Sequence, residues 1–385
     1  MRKCGQPVVI GEIGAGIILG PSVCGALFPG FNTFLFPRES LGTLSIVSEM
    51  GLVLFMFVIG IELDAAVVKK KAKQSLIISG ASIVLPFIMG TLLSYYLYAS
   101  YATPGTPFSG FALFMGIAMS ITAFPVLARI LRERGLDHTR LGILVLTCAA
   151  ADDVAAWCIL AAITAIIKAG GVSGFGLTLL LCIGYVTGML LLVKPLVRRI
   201  VLHTAPDGGM PRHLIPMMLG GMLASAWVAQ VIGIHSLFGA FLFGLIIPVD
   251  WPYRKAFIAR VEDVAGVLLL PVFFVITGLR TQIGALEDAS DWAVCLLILV
   301  VAVAGKFGGA ALAARSTGES WKDAFAIGAL MNTRGLMQLI VLNIGFDLGI
   351  LSPAIFTMMI IMALLTTAMT GPALRLIYGR EGRSQ

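Results

Sequence analysis

Along the chain, long apolar runs alternate with short polar stretches, and every second polar stretch is a cluster of lysine and arginine. A run of roughly 17–25 apolar residues, with glycine and proline tolerated inside it, is what a helix needs to cross the hydrocarbon of a bilayer. On that criterion twelve segments are predicted, near 7–28, 43–62, 75–98, 109–131, 141–167, 175–200, 213–231, 235–249, 263–280, 292–314, 322–346 and 353–377. The predicted class is an all-α polytopic membrane protein of about 12 transmembrane helices.

The polar stretches test the count. Arg2 and Lys3 precede the first segment; Lys69, Lys70, Lys71 and Lys73 follow the second; Arg129, Arg132, Arg134 and Arg140 follow the fourth. Lys194, Arg198, Arg199 and Arg212 follow the sixth, Arg254, Lys255 and Arg260 the eighth, Arg315 and Lys322 the tenth, and Arg375, Arg380 and Arg383 the twelfth. In this threading 22 of the 27 lysines and arginines share one side, and only Arg38, Lys168 and Arg280 fall on the other. Basic residues stay cytoplasmic, so both termini are expected inside, and a helix missed in the middle would have scrambled the alternation. The remaining two, Lys306 and Arg334, lie within predicted segments.

Two segments carry sequence breaks. The fourth, FALFMGIAMSITAFPVLARIL, clusters Ser120, Thr122 and Pro125, and Pro125 should release carbonyls around 119–123. The eleventh, AFAIGALMNTRGLMQLIVLNIG, is interrupted by Asn332, Thr333, Arg334 and Gly335. Freed backbone groups at membrane depth are tolerated only where protein or a wet cavity satisfies them, so the pair implies a polar site. Seven crossings separate the two segments, so they run in opposite directions, as inverted repeats made of segments 3–5 and 10–12 require.

The fifth segment, LGILVLTCAAADDVAAWCILAAITAI, places Asp152 and Asp153 side by side in an uncharged run. One ionised aspartate at a membrane helix centre costs about 2.5–3.5 kcal/mol, so two need partners or water. Consecutive helical residues point about 100° apart. One carboxylate can therefore face a cavity while its neighbour faces a helix bearing a counter-charge, for which Lys306 and Arg334 are available. A carboxylate that can hold either a proton or a metal cation is sufficient for antiport: the loaded forms cross and the empty charged form does not. Lys306 is read either as a switchable partner of one aspartate or as a fixed salt bridge. Arg334, which cannot release a proton, suits the carbonyl ends at a helix break.

Composition adds three exclusions. With 58% hydrophobic and 12% charged residues over 385 positions, no stretch is polar enough to form a large soluble domain. The net charge of +7 is accounted for by the basic loops and implies no nucleic-acid partner. The cysteines at 4, 24, 148, 158, 182 and 295 show no paired spacing and read as small packing residues. The first membrane segment is expected to serve as the insertion signal, since no cleavage-site pattern precedes it.

Several stretches together resemble the monovalent cation/proton antiporters of the second superfamily, over essentially the whole chain. They are QPVVIGEIGAGIILGPS (6–22), GLVLFMFVIGIELD (51–64), SITAFPVLARIL (120–131), AAADDVAAW (149–157), GAFLFGLIIP (239–248), LLPVFFVITGLRT (269–281) and MNTRGLMQLIVLNIG (331–345). The resemblance implies a Na⁺/H⁺ antiporter-like fold with inverted repeats and two broken helices that cross. It implies one membrane domain over 1–385, with an ion-transporting core near 75–167 and 292–377 and a dimerisation scaffold near 7–62 and 175–280. It implies a homodimer in the cell membrane, an elevator-like motion of the core and a transporter rather than an enzyme, with no cofactor. It assigns Asp153 to the ion, pairs Asp152 with Lys306, and brings Thr122 and nearby backbone, with Ser120, into the site. An aspartate pair with lysine resembles the electrogenic members. The sequence departs from the family pattern at both ends: a further helix usually precedes the stretch matching QPVVIGEI, and several relatives carry a cytoplasmic regulatory domain after the last helix. Gating through such a domain is therefore not expected of these residues.

The function expected is exchange of Na⁺ or K⁺ for protons by alternating access. A cation channel also uses broken helices and differs in moving no protons. An intramembrane aspartyl protease needs its two aspartates on different helices, which the adjacent pair does not supply.

Overall fold

The structure is a computed structural model and describes residues 8–62, 72–168, 172–203, 211 and 213–378. Of the residues named above, Arg2, Lys3, Lys69, Lys70, Lys71, Arg212, Arg380 and Arg383 lie outside these, as do the side chains of Arg38, Arg129, Lys168 and Pro125. The described residues are helical almost throughout, with one isolated antiparallel bridge between Ala102 and Leu351.

The helices are α1 (Val8–Leu19), α2 (Cys24–Leu27), α3 (Pro29–Leu35), α4 (Arg38–Glu62), α5 (Ala72–Tyr101), α6 (Phe108–Ser120), α7 (Phe124–Glu133), α8 (Arg140–Lys168), α9 (Val172–Gly188) and α10 (Lys194–His203). They continue with α11 (Leu214–Ile232), α12 (Ser236–Leu245), α13 (Arg254–Asp263), α14 (Leu270–Arg280), α15 (Ala289–Val303), α16 (Gly309–Ser316), α17 (Trp321–Met331), α18 (Leu336–Asp347) and α19 (Pro353–Tyr378). Wider π-helical turns join α9 to α10 at Met189–Val193, α13 to α14 at Val264–Leu269 and α15 to α16 at Ala304–Gly308.

Each of the twelve predicted segments falls on helix. Nine described spans are long and apolar enough to cross a membrane. The eighth segment is shorter than predicted, only the ten residues of α12. The fourth is α6 and α7 separated by three residues, and the eleventh is α17 and α18, bent by 42° at their junction. The first predicted segment, 7–28, holds both α1 and the short α2, and α3 escaped prediction because seven residues leave no periodic run to read.

The chain divides into two compact units. The first comprises Met1–Leu35, Ala66–Ile159 and Thr277–Gln385, and the second Phe36–Ala65 and Leu160–Ile276. Small residues set the packing in each, as they do wherever lipid removes the hydrophobic drive between helices. In the second unit Gly60 on α4 meets Gly244 on α12 so closely that a Cβ on Gly244 would stand 2.3 Å from the Phe57 carbonyl oxygen. There Ser225 of α11 donates to the Gly239 carbonyl of α12 at 2.8 Å and meets the Tyr185 hydroxyl at 2.6 Å.

In the first unit α5 is the hub. Gly305 and Gly309 let the α15–α16 helix lie against Pro86 and Ala81 of α5, where a Cβ on Gly309 would stand 3.0 Å from the Ala81 carbonyl oxygen. An apolar cluster that includes Ile78, Leu127, Leu131, Leu144, Val145, Cys148, Ile327 and Leu330 fills the space between α5, α7, α8 and α17. Cys148 is a packing residue there, and the described cysteines form no disulfide among themselves.

Candidate functional site

The site is built by α5, the part of α8 that precedes Leu160, the π turn before α16 and the two helix breaks, all within the first unit. The first break spans residues 121–123. Ile121 (φ −76°, ψ 135°) and Ala123 (φ −98°, ψ 96°) are extended, and α7 restarts at Phe124 with Pro125 in its opening positions, where a missing N–H costs nothing. The second break spans residues 332–335. The two breaks hydrogen-bond to each other through the Ala123 N–H, which donates to the Thr333 carbonyl at 3.0 Å, and Thr122 Oγ1 lies 3.1 Å from the Met331 carbonyl oxygen. Gly335 is required by that closeness, since a Cβ on it would stand 2.7 Å from Val126 Cγ2 and 3.1 Å from Ala123 Cβ.

Breaking α6 exposes its last carbonyls, and two cations take them up. Arg334 is 1% exposed and donates to the Ala118 and Met119 carbonyls at 3.0 and 2.8 Å, with Gln338 Oε1 at 3.4 Å. Lys306 is fully buried and donates to the carbonyls of Ser120 and, at 3.0 Å, Ser82. Positive groups at the negative end of a helix complement its dipole. From behind, α19 braces the second break: Thr367 Oγ1 donates to the Arg334 carbonyl at 2.6 Å and accepts from the Arg334 N–H at 3.0 Å, and Thr333 meets Thr370 at 3.1 Å.

Asp152 and Asp153, each 1% exposed, have opposite surroundings. Asp152 Oδ2 stands 2.9 Å from Lys306 Nζ and accepts the hydroxyls of Thr122 at 2.7 Å and Ser82 at 3.2 Å, while Oδ1 accepts that of Ser79 at 2.5 Å. A carboxylate offers about four acceptor sites, and Asp152 meets four donors, three at Oδ2 and one at Oδ1. Asp153 receives the backbone N–H of Phe124 at the start of α7, and its Oδ1 has no hydrogen-bond partner. Among the described residues Asn332 Oδ1 and Arg334 Nε are also buried without one. The 100° between neighbouring side chains thus gives one carboxylate a complete set of donors and the other an open coordination site.

Of the residues singled out from the sequence, Asp152, Lys306 and Thr122 meet in one cluster, with Asp153 at its edge. Ser120 takes part through its carbonyl; its hydroxyl turns back to Gly116 O at 2.7 Å in its own helix. Arg334, Asn332, Thr333 and Gly335 form the second break. Three or more His, Cys, Asp or Glu side chains grouped to hold a resident metal are not found among the described residues.

Residues 1–378 match the family described as sodium/hydrogen exchanger, transmembrane. The chain belongs to that family. Among curated relatives of this exchanger-family chain, the Na(+)/H(+) antiporter NhaS4 of Synechocystis is 42% identical, over 97% of this chain and 91% of its own length. Cation/H(+) antiporter 17 of Arabidopsis thaliana is 40% identical over 100% of this chain, and K(+)/H(+) antiporter 1 of Saccharomyces cerevisiae 35% over 97%. The chain spans slightly less than half of those two relatives, 47% and 45%. The solved sodium proton antiporter MjNhaP1 from Methanocaldococcus jannaschii shares the fold, with a TM-score of 0.74 over 98% of this chain and 93% of its own at 15% identity.

Three groups in this exchanger-family site were not read from the sequence. Ser79 and Ser82 are three residues apart on α5 and share the face that meets Asp152; the signal was the serine spacing in SLIISGASIV, weak because serine is common in membrane helices. Thr367 and Thr370 on α19 stood as a polar cluster, TTAMT, in an apolar run. The π turn carrying Lys306 left no sequence mark at all.

Proposed function

We propose that this chain exchanges Na⁺ or K⁺ for protons across the membrane by alternating access, with Asp153 as the carboxylate that cation and proton share. The observation that carries the reading is the asymmetry of the aspartate pair: Asp152 has four donors, and Asp153 keeps a buried oxygen free. A buried anionic oxygen with no donor is stabilised by a proton or a cation, and each excludes the other. Asp152 and Lys306 act as a switchable pair, in which Lys306 is displaced as cation enters and the three hydroxyls keep Asp152 hydrogen-bonded. The names of the Synechocystis and yeast relatives support both ions as cargo. The core near 75–167 and 292–377 is the moving part, the protein acts as a homodimer in the cell membrane, and both termini are cytoplasmic, the last supported by the placement of 22 of 27 basic residues.

The test is proton flux in proteoliposomes with an internal pH dye, adding Na⁺ or K⁺ to wild type and to Asp153→Asn. A cation-triggered pH change in wild type that disappears in the variant is expected. Cation flux without proton movement would sink the exchange reading in favour of a channel.

A further inference from the structure

We infer that the side-chain oxygen of Asn332 is a ligand for the transported cation, completing with Asp153 an oxygen site where the two helix breaks cross. This rests on the exchange reading above and adds to it a neutral second ligand.

Asn332 ends α17, but its side chain does not cap the helix. That work is done by its backbone N–H, bonded to the Gly328 carbonyl at 3.0 Å. The side chain is 5% exposed, and its Oδ1 has no partner. Leaving such an acceptor buried and unbonded costs about 1–3 kcal/mol, so the position demands a reason. Its two chain neighbours are both fastened to the first break, Met331 through Thr122 Oγ1 at 3.1 Å and Thr333 through the Ala123 N–H at 3.0 Å. The same three-residue stretch serves the aspartates: Thr122 donates to Asp152, and Phe124, the residue after Ala123, gives its N–H to Asp153. Asn332 is thereby held against the backbone segment that holds Asp153, whose Oδ1 is likewise buried without a partner.

The terminal nitrogens of the two neighbouring cations are committed elsewhere, and of their donors only Arg334 Nε has no partner. Lys306 is spent on Asp152 and on the Ser82 and Ser120 carbonyls. Arg334, two residues on from Asn332, is drawn by both terminal nitrogens toward the end of α6. Two hard oxygens that receive no hydrogen are what an alkali cation takes as ligands. One carboxylate with a neutral amide also carries the charge of a monovalent ion and falls short of a divalent one.

The experiment uses the full chain in proteoliposomes, with initial exchange rates measured against Na⁺ and K⁺ for wild type, Asn332→Leu and Asn332→Asp. Leucine keeps the volume and removes the oxygen. It is expected to raise the cation KM several-fold and to change the ratio of the Na⁺ and K⁺ values, with the rate at saturating cation retained. Aspartate keeps an oxygen and adds charge, so it is expected to hold the KM low and make Mg²⁺ a competitor. An Asn332→Leu protein with wild-type KM values and ratio overturns the inference. So does a lowered maximal rate at unchanged KM, which marks Asn332 as a piece of α17 only. Should the leucine variant not fold, an aspartate variant with unaltered KM and no Mg²⁺ sensitivity overturns it equally. A wild type that moves no protons with either ion refutes the exchange reading instead. The ligand is then read from heat stabilisation of the purified protein by Na⁺ or K⁺, lost in Asn332→Leu if the inference holds and equal in both proteins if it does not.

Discussion

Asp152 and Lys306 form an ion pair that is buried on both sides, so the two charges are costly to separate. Removing one partner strands the other. Lys306→Met is expected to lower thermal stability by about 3–5 kcal/mol, the usual consequence of breaking a buried pair, moderated because Ser79, Ser82 and Thr122 still donate to Asp152. Adding Asp152→Asn to that variant should recover most of the loss, since no unpaired charge then remains. Melting of the purified single and double variants measures both. At this scale the sequence disclosed which residues were unusual and not what they touch. Two aspartates and a lysine stand out in apolar runs on solvation cost alone. Ser79 and Ser82 do not, because a hydroxyl in a membrane helix can be satisfied by its own preceding turn, as Ser120 and Thr164 are.

At the scale of helices, close approach through glycine makes a sharper forecast than propensity. Gly244→Ala places a methyl 2.3 Å from a backbone oxygen of α4, which α12 cannot accommodate without moving, and is expected to cost about 1–3 kcal/mol. Gly220→Ala, in the interior of α11 with nothing within 4 Å of its new methyl, is expected to gain about 0.5–1 kcal/mol. Melting temperatures of the two variants should move in opposite directions. The long helices and both breaks were legible in the sequence because length, proline and a polar interruption are local properties. The α15–α16 π turn was not, since it shifts the register by one residue without altering composition. Nor were the threonine braces from α19, whose contacts lie more than thirty residues away in sequence.

For the whole molecule, the placement of basic residues predicts sidedness. A protease-sensitive tag on the C-terminus should be cut in inverted vesicles and protected in right-side-out ones. The electrical character of the cycle is open to direct measurement as well. A cycle that moves one net charge gains about 2.3 kcal/mol per 100 mV of membrane potential. The resemblance of the Asp-Asp and lysine set to electrogenic members leads us to expect that clamping the potential with valinomycin and K⁺ changes the Na⁺-driven rate. A rate indifferent to voltage would mark an electroneutral exchanger.

Lys306 rides on a five-residue π turn, Ala304–Gly308, set between two stretches of ordinary α-helix. Such a turn holds one residue more than the helix needs, and it commonly sits at functional positions. The helix can therefore lose a residue here and remain a helix. Deleting Ala304 should let the turn relax to α geometry, leaving the packing of α15 and α16 intact while re-aiming the residues inside the turn, Lys306 among them. The ammonium would then leave Asp152 without any change in the list of side chains present. A single surplus residue in the backbone, and not only the chemistry of the lysine, is what aims the charge.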